Sequence, residues 1–173
     1  MRADAQRNRE RILEAAETVF AERGASASTE DVAELAGVAI GTVFRHFPTK
    51  KDLLQAIMKN LMARLTARAA AETDLFEFFD CFVAEAASKK TVVGLLADAG
   101  LAVEVADSVQ QFREAVVGLL DAARKAGAVR AEVQVDEVLA LLTATSQGAL
   151  RAGWDADLRR RTLAIIYAGL RPA

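Results

Sequence analysis

Cysteine is nearly absent from this chain of 173 residues: Cys81 stands alone, which excludes an internal disulfide and fits a reducing compartment. Histidine is as scarce. With His46 the one imidazole, the rest of the chain has no Ser–His or Cys–His pair and no metal-ligand spacing. Two prolines leave long stretches free to be helical. No run of about eighteen apolar residues occurs, so no membrane-spanning helix is expected. No glycine-rich phosphate loop follows a strand pattern, and no catalytic constellation, metal or cofactor is expected. The first eleven residues are polar and carry Arg2, Arg7, Arg9 and Arg11, unlike a secretory leader, so a cytoplasmic location is expected. Charge of one sign is missing too. The net charge is −2; residues 1–52 hold 8 basic against 9 acidic side chains, and residues 53–173 hold 14 against 15. A broadly basic surface is excluded. Nucleic-acid binding, if present, rests on a few well-placed cations and backbone amides.

What the chain does have is helix-forming composition. Ala, Leu, Glu and Arg dominate, and 53% of residues are hydrophobic, enough for a real core. Ile12, Leu13, Ala16, Val19 and Phe20 recur at helical spacing, and Gly24 ends that helix. Ser28 with Asp31 reads as a shorter-armed capping box ahead of a brief helix over 29–36. Gly37 interrupts, a third helix runs over 40–46, and Pro48 forbids its continuation. Thr49 caps a fourth helix with an apolar stripe of Leu53, Leu54, Ile57, Met58, Leu61 and Leu65. Further helices are expected at about 74–87, 91–99, 108–126, 134–152 and 156–170, making an all-α chain of about nine helices.

Residues 28–51 carry the functional signal. Two helices this short are not stable alone. Joined at Gly37 and packed on the first helix, they fit a helix-turn-helix, whose second helix enters the major groove. Ser28 and Thr29 stand at a helix N-terminus, where free N–H groups favour a phosphate. Gly41 lets backbone approach DNA closely, and Thr42 reaches a base edge or a phosphate. Arg45 suits bidentate contact with guanine or a phosphate clamp, while His46 and Lys50 suit the DNA backbone.

Residues 8–67 resemble the DNA-binding domain of the tetracycline-repressor (TetR) family. The match runs through Ile12-Leu13, Ala16, Phe20, Gly24, Asp31-Val32-Ala33, Gly37-Val38, the segment Gly41-Thr42-Val43-Phe44-Arg45-His46-Phe47-Pro48-Thr49-Lys50, and Leu53-Leu54. The resemblance implies a three-helix DNA-binding head over 1–52 and an effector-binding, dimerising helical body over 53–173. It implies DNA contacts at Ser28, Ala39, Thr42, Phe44, His46 and Lys50. Ala39 and Ile40, with Thr42 and Arg45, are expected to set operator choice. Phe44 and Ala39 depart from the family pattern, which usually has tyrosine at the first position and often a hydroxyl at the second. With those hydroxyls missing, affinity is expected to lean on Arg45, Lys50 and an arm of Arg2, Arg7 and Arg9.

The body is less explicit. Phe76, Phe78, Phe79 and Phe82 crowd one helix over more than one face, and Phe112, Val116, Leu119 and Leu120 form a second stripe. Core packing accounts for most of this. The family resemblance adds a pocket for a small, largely apolar effector, with Phe76, Phe79, Phe82, Phe112 and Val116 as candidate lining. Cys81 is expected to be a buried, inert thiol. Ala140, Ala144, Gly148 and Ala152 form a small-residue ridge, and Ile166 stands on the last helix. Both sets suit packing within one chain; the resemblance favours a homodimer interface there. The expected protein is a ligand-responsive regulator, a repressor by preference, binding a palindromic double-stranded operator as a dimer. An architectural DNA-binding protein without effector, and a helical small-molecule binder or enzyme that has merely kept a helix-turn-helix, are the rival readings; the missing catalytic residues count against an enzyme.

Overall fold

A computed structural model describes residues 2–88 and 106–172, and all regular structure in them is helical. We label the helices α1 (Arg2–Arg23), α2 (Thr29–Ala36), α3 (Ile40–His46), α4 (Lys50–Ala71), α5 (Leu75–Ser88), α6 (Ala106–Lys125), α7 (Val135–Ala152) and α8 (Ala156–Leu170). The helix expected at 91–99 lies outside the described residues. None of the helices in the described residues is long and apolar enough to cross a membrane.

The described residues form two compact units. The first runs to Leu61; the second begins at Met62 and comprises the end of α4 with α5 to α8. The division falls inside α4, later than the sequence boundary at 52, because Leu53, Leu54, Ala56 and Ile57 are buried in the first unit's core. The other walls of that core are Ile12, Ala16, Val19 and Phe20 of α1, Val32, Ala33 and Ala36 of α2, and Val43 of α3. Leu65 and Ala69 of the same continuous α4 are buried in the second half of the helix.

Helix α1 starts earlier than its apolar periodicity. The segment holding Arg7 and Arg9 is helical, not an extended arm, and Gln6 Nε2 donates to Glu10 at 2.7 Å one turn on. Arg7 pairs with Asp4 in the same segment. An i,i+4 hydrogen bond and an i,i+3 ion pair each add only a few tenths of a kcal/mol, but they favour helix over coil in a polar stretch.

The second unit sorts its aromatics onto two sides of α5. Phe76 and Phe79 meet Tyr167 of α8, at ring separations of 4.7 and 5.9 Å. Phe78 and Phe82 meet Phe112 of α6, at 6.2 and 5.7 Å. The Tyr167 hydroxyl lies 3.1 Å from both the Phe76 carbonyl and Asp80 Oδ1, and burial with the nearby Asp80 carboxylate pushes its pKa well up. Arg171 lies over the outer face of Phe76, 4.7 Å from its centroid, closing the end of α8 onto α5. Cys81, expected to be buried, is only partly so, because it stands on the flank of α5 where Arg68 Nη2 reaches Sγ at 2.8 Å.

Candidate nucleic-acid interface

The turn into α2 is held by reciprocal bonds. Asp31 N–H donates to Ser28 Oγ at 3.1 Å, and Ser28 N–H donates to Asp31 Oδ2 at 3.0 Å. Arg23, at the end of α1, pairs with the other Asp31 oxygen. The Ser28 backbone and side-chain hydrogen bonds, then Arg23, hold the Asp31 carboxyl below its usual range. The folded state therefore binds this proton less readily than the unfolded chain. The cap's contribution is complete above the ordinary value of 3.8 and is lost as pH falls through the lowered one. An Asp31→Asn variant is expected to lose stability at neutral pH and to show a flatter stability profile in acid. Melting curves of both proteins from pH 7 to about pH 2.5 would show this; parallel profiles would refute it.

Helix α2 ends at Gly37, whose φ of +63° is a left-handed conformation. Its N–H donates to the Glu34 carbonyl at 3.1 Å, and Val38 N–H donates to the Ala33 carbonyl at 3.1 Å. A Cβ at this position would also fall 2.9 Å from Arg11 Nη2. The chain thus reverses in the space of Gly37-Val38 and starts α3 from Ala39, whose carbonyl accepts from Thr42 N–H at 2.8 Å. At the far end Pro48 stops the helix. Thr49 and Asp52 form a second reciprocal cap, at 2.9 and 3.1 Å, that opens α4.

Pinned at both ends, α3 buries one residue completely, Val43. Helical spacing then sets what faces outward. Gly41 and Arg45 stand opposite Val43, and both are exposed. Ile40 and Phe44 occupy one flank, exposed by 36% and 43%. Thr42 and His46 are half-buried on the other, and Ala39 is exposed at the start. Space around the missing Cβ of Gly41 is open to 4 Å.

The polar residues of the interface differ in what they are free to do. The Ser28 oxygen accepts the cap bond from Asp31 N–H, and the Ser28 side chain is engaged with the Asp31 carboxylate. The Thr29 hydroxyl donates to Glu30 at 3.3 Å. Lys50 reaches back across the fold: its Nζ donates to the Ala27 carbonyl at 2.7 Å and lies 5.4 Å from the centre of the Phe20 ring. Arg9 stacks over Phe47 at 5.4 Å, beside the His46 ring. Of the cations expected to carry affinity, Arg7, Arg9 and Lys50 all have partners within the chain. Arg45 alone among these four extends from α3 into solvent. The Lys50 and Arg9 contacts join residues far apart in sequence, and no spacing pattern announces them.

The other expected site residues fall less evenly. Phe76 and Phe79 belong to the Tyr167 cluster, and Phe82 to the Phe112 cluster, with Val116 fully buried on α6, so these five do not gather around one point. Ala140, Ala144 and Ala152 are exposed on α7. Gly148 is covered by the chain's own Trp154, whose ring would lie 3.1 Å from an added Cβ. Ile166 is half-buried, and its neighbour Ile165, 76% exposed, is the outward side chain of α8.

A helix-turn-helix whose second helix presents an outward Gly–Arg face, followed among the described residues by further helices alone, has the architecture of a DNA-binding transcriptional regulator. Residues 12–57 match the model of bacterial regulatory proteins of the tetR family, and residues 69–172 match the C-terminal domain of SbtR-like transcriptional regulators. The chain belongs to the TetR family. Its structure is similar to that of a TetR transcription regulatory protein from Mycobacterium vanbaalenii, with 36% identity, a TM-score of 0.80 and 99% of each chain covered. The TetR regulator SCO0520 of Streptomyces coelicolor gives 32% identity and a TM-score of 0.77, over 95% of this chain and 99% of that one. Among curated proteins, the transcriptional repressor KstR2 of Rhodococcus jostii is 28% identical over 159 residues, 83% of this chain and 78% of its own.

Proposed function

We propose that this protein is a ligand-responsive repressor that binds a palindromic operator as a homodimer. The observation that carries the DNA-binding part is the outward face of α3, where Arg45 projects beside the open backbone of Gly41. Two such helices related by a two-fold axis would meet half-sites about 34 Å apart, or a multiple of it. Repression is supported by the likeness to the KstR2 repressor.

Dimerisation is supported by what α7 and α8 leave exposed. Ala140 and Ala144 on α7 let a partner helix approach closely, and Ile165 and Leu158 on α8 offer exposed apolar surface. The effector is a small, largely apolar molecule bound within the second unit, whose described buried side chains are mainly aromatic and aliphatic. Signalling runs through α4, whose first half is part of the head's core and whose second half belongs to the body. Effector must favour the conformation with wrongly spaced heads, by differential affinity for the two states.

The test is titration of the full-length protein, and of Arg45→Ala, onto duplex DNA from its own upstream region at two salt concentrations with nonspecific competitor. Wild type is expected to give a competitor-resistant complex that weakens steeply with salt. Arg45→Ala is expected to lose about 1–3 kcal/mol, roughly five- to 150-fold in affinity. Equal binding by both proteins would remove Arg45 from the interface. A complex displaced completely by competitor would remove the operator reading.

A further inference from the structure

Seven large apolar side chains stand exposed among the described residues, and two of them, Ile40 and Phe44, lie on α3, the shortest α-helix described. They are four residues apart and share one flank, adjoining the Gly41–Arg45 strip. Each keeps a large part of its surface open, 36% for Ile40 and 43% for Phe44. Val43 and Phe47 already supply the buried side of this segment. A contiguous apolar flank on a helix that enters a polar groove has few complementary surfaces. On the edges of the base pairs in the major groove, the one apolar substituent is the C5-methyl of thymine; the other groups that tell the base pairs apart donate or accept hydrogen bonds.

We infer that Ile40 and Phe44 read thymine methyl groups, so that each operator half-site places thymine beside the base pair contacted by Arg45. This rests on the operator-binding reading above and adds the chemistry of what is read. The division of labour follows from side-chain type. Arg45 donates to acceptors on the edge of its base pair, while the flank it adjoins has no donor or acceptor to offer except backbone. Placing that flank against a cytosine amino group or an adenine N7 would leave the base unpaired and desolvated, which is costly. Against a thymine methyl, each contact removes apolar surface from water on both partners. The missing hydroxyl at Phe44 then marks a position used for apolar base contact.

The experiment uses the full-length chain. Bound sequences are selected from a random duplex library, and each thymine of the selected site is replaced in turn by uracil, which differs only in lacking the methyl. Loss of one buried methyl is worth roughly fourfold in affinity. The expected result is a loss of about that size at one or two thymines per half-site and no change at the others. In Ile40→Ala or Phe44→Ala protein, the corresponding uracil is expected to cause no further loss, the signature of a direct pair. The DNA substitution leaves the protein untouched, so misfolding of a variant does not obscure the answer. Selection of a specific site whose affinity is indifferent to every uracil would overturn this inference and leave operator binding standing. Failure to enrich any sequence would overturn both.

Discussion

Replacement of Phe20 by alanine is expected to cost about 3–5 kcal/mol, a large part of the roughly 5–15 kcal/mol that holds a domain of this kind together. Phe20 is completely buried at the centre of the first unit's core, so truncation leaves a cavity and forfeits the burial of the ring. A second loss is specific to this fold. The Phe20 ring is the surface over which Lys50 lies while it donates to the Ala27 carbonyl, just ahead of the Ser28 cap. Removing the ring therefore loosens the entry to the helix-turn-helix as well as the core. Phe20→Leu separates the two effects: it keeps apolar volume and is expected to cost less than about 1.5 kcal/mol. Urea unfolding followed by far-ultraviolet circular dichroism gives both values. A loss below 1 kcal/mol for the alanine variant would mean that the core relaxes around the gap, contrary to the packing described.

Gly41→Ala is expected to separate stability from function. Glycine inside a helix is less favourable than alanine by roughly 0.5–1 kcal/mol, and the added methyl meets open space. The free protein should thus be slightly more stable. The same methyl points directly away from Val43, into the gap that the DNA must fill, and intrusion of a methyl into a close-packed contact costs typically about 1–3 kcal/mol. Operator affinity should fall by roughly five- to 150-fold while the melting temperature rises. A variant that binds as well as wild type would show that backbone at Gly41 does not approach the DNA. One that binds poorly and also melts early would show a folding defect instead.

How far these features were legible depends on the range over which the signal acts. The bounds of α2 and α3 follow from chain-local devices: the Ser28–Asp31 box, the left-handed Gly37 and the block at Pro48. Each acts within a few residues, and the structure places the two helices where the sequence puts them. The start of α1 was hidden because the residues ahead of Ile12 carry no apolar stripe; the Arg7–Asp4 ion pair and the Gln6–Glu10 hydrogen bond that favour helix there leave a weaker signal than periodicity. The roles of Lys50 and Arg9 were hidden for another reason. Both look like DNA-facing cations by type and position, and only the folded chain brings Lys50 to Ala27 and Arg9 to Phe47. In the body, crowding of four phenylalanines on α5 signalled burial but not its direction. Period alone does not say that Phe76 and Phe79 turn to α8 while Phe78 and Phe82 turn to α6. Likewise Gly148 fits the small-residue ridge by spacing, and only the returning chain after α7 lays Trp154 across it.

That Trp154 has an optical consequence. It is the chain's one tryptophan, Tyr167 is its one tyrosine, and both belong to the second unit. Tryptophan and tyrosine emission therefore comes from the body alone, and the DNA-binding head contributes none of it. Trp154, seated on Gly148 at the corner of α7 and α8, would register a second subunit arriving on that face through a change in its solvent exposure, with no dye attached. Binding of DNA to α3 would leave the same signal unmoved unless the body itself responds, which makes the colour of one indole a direct reading of communication between the two units.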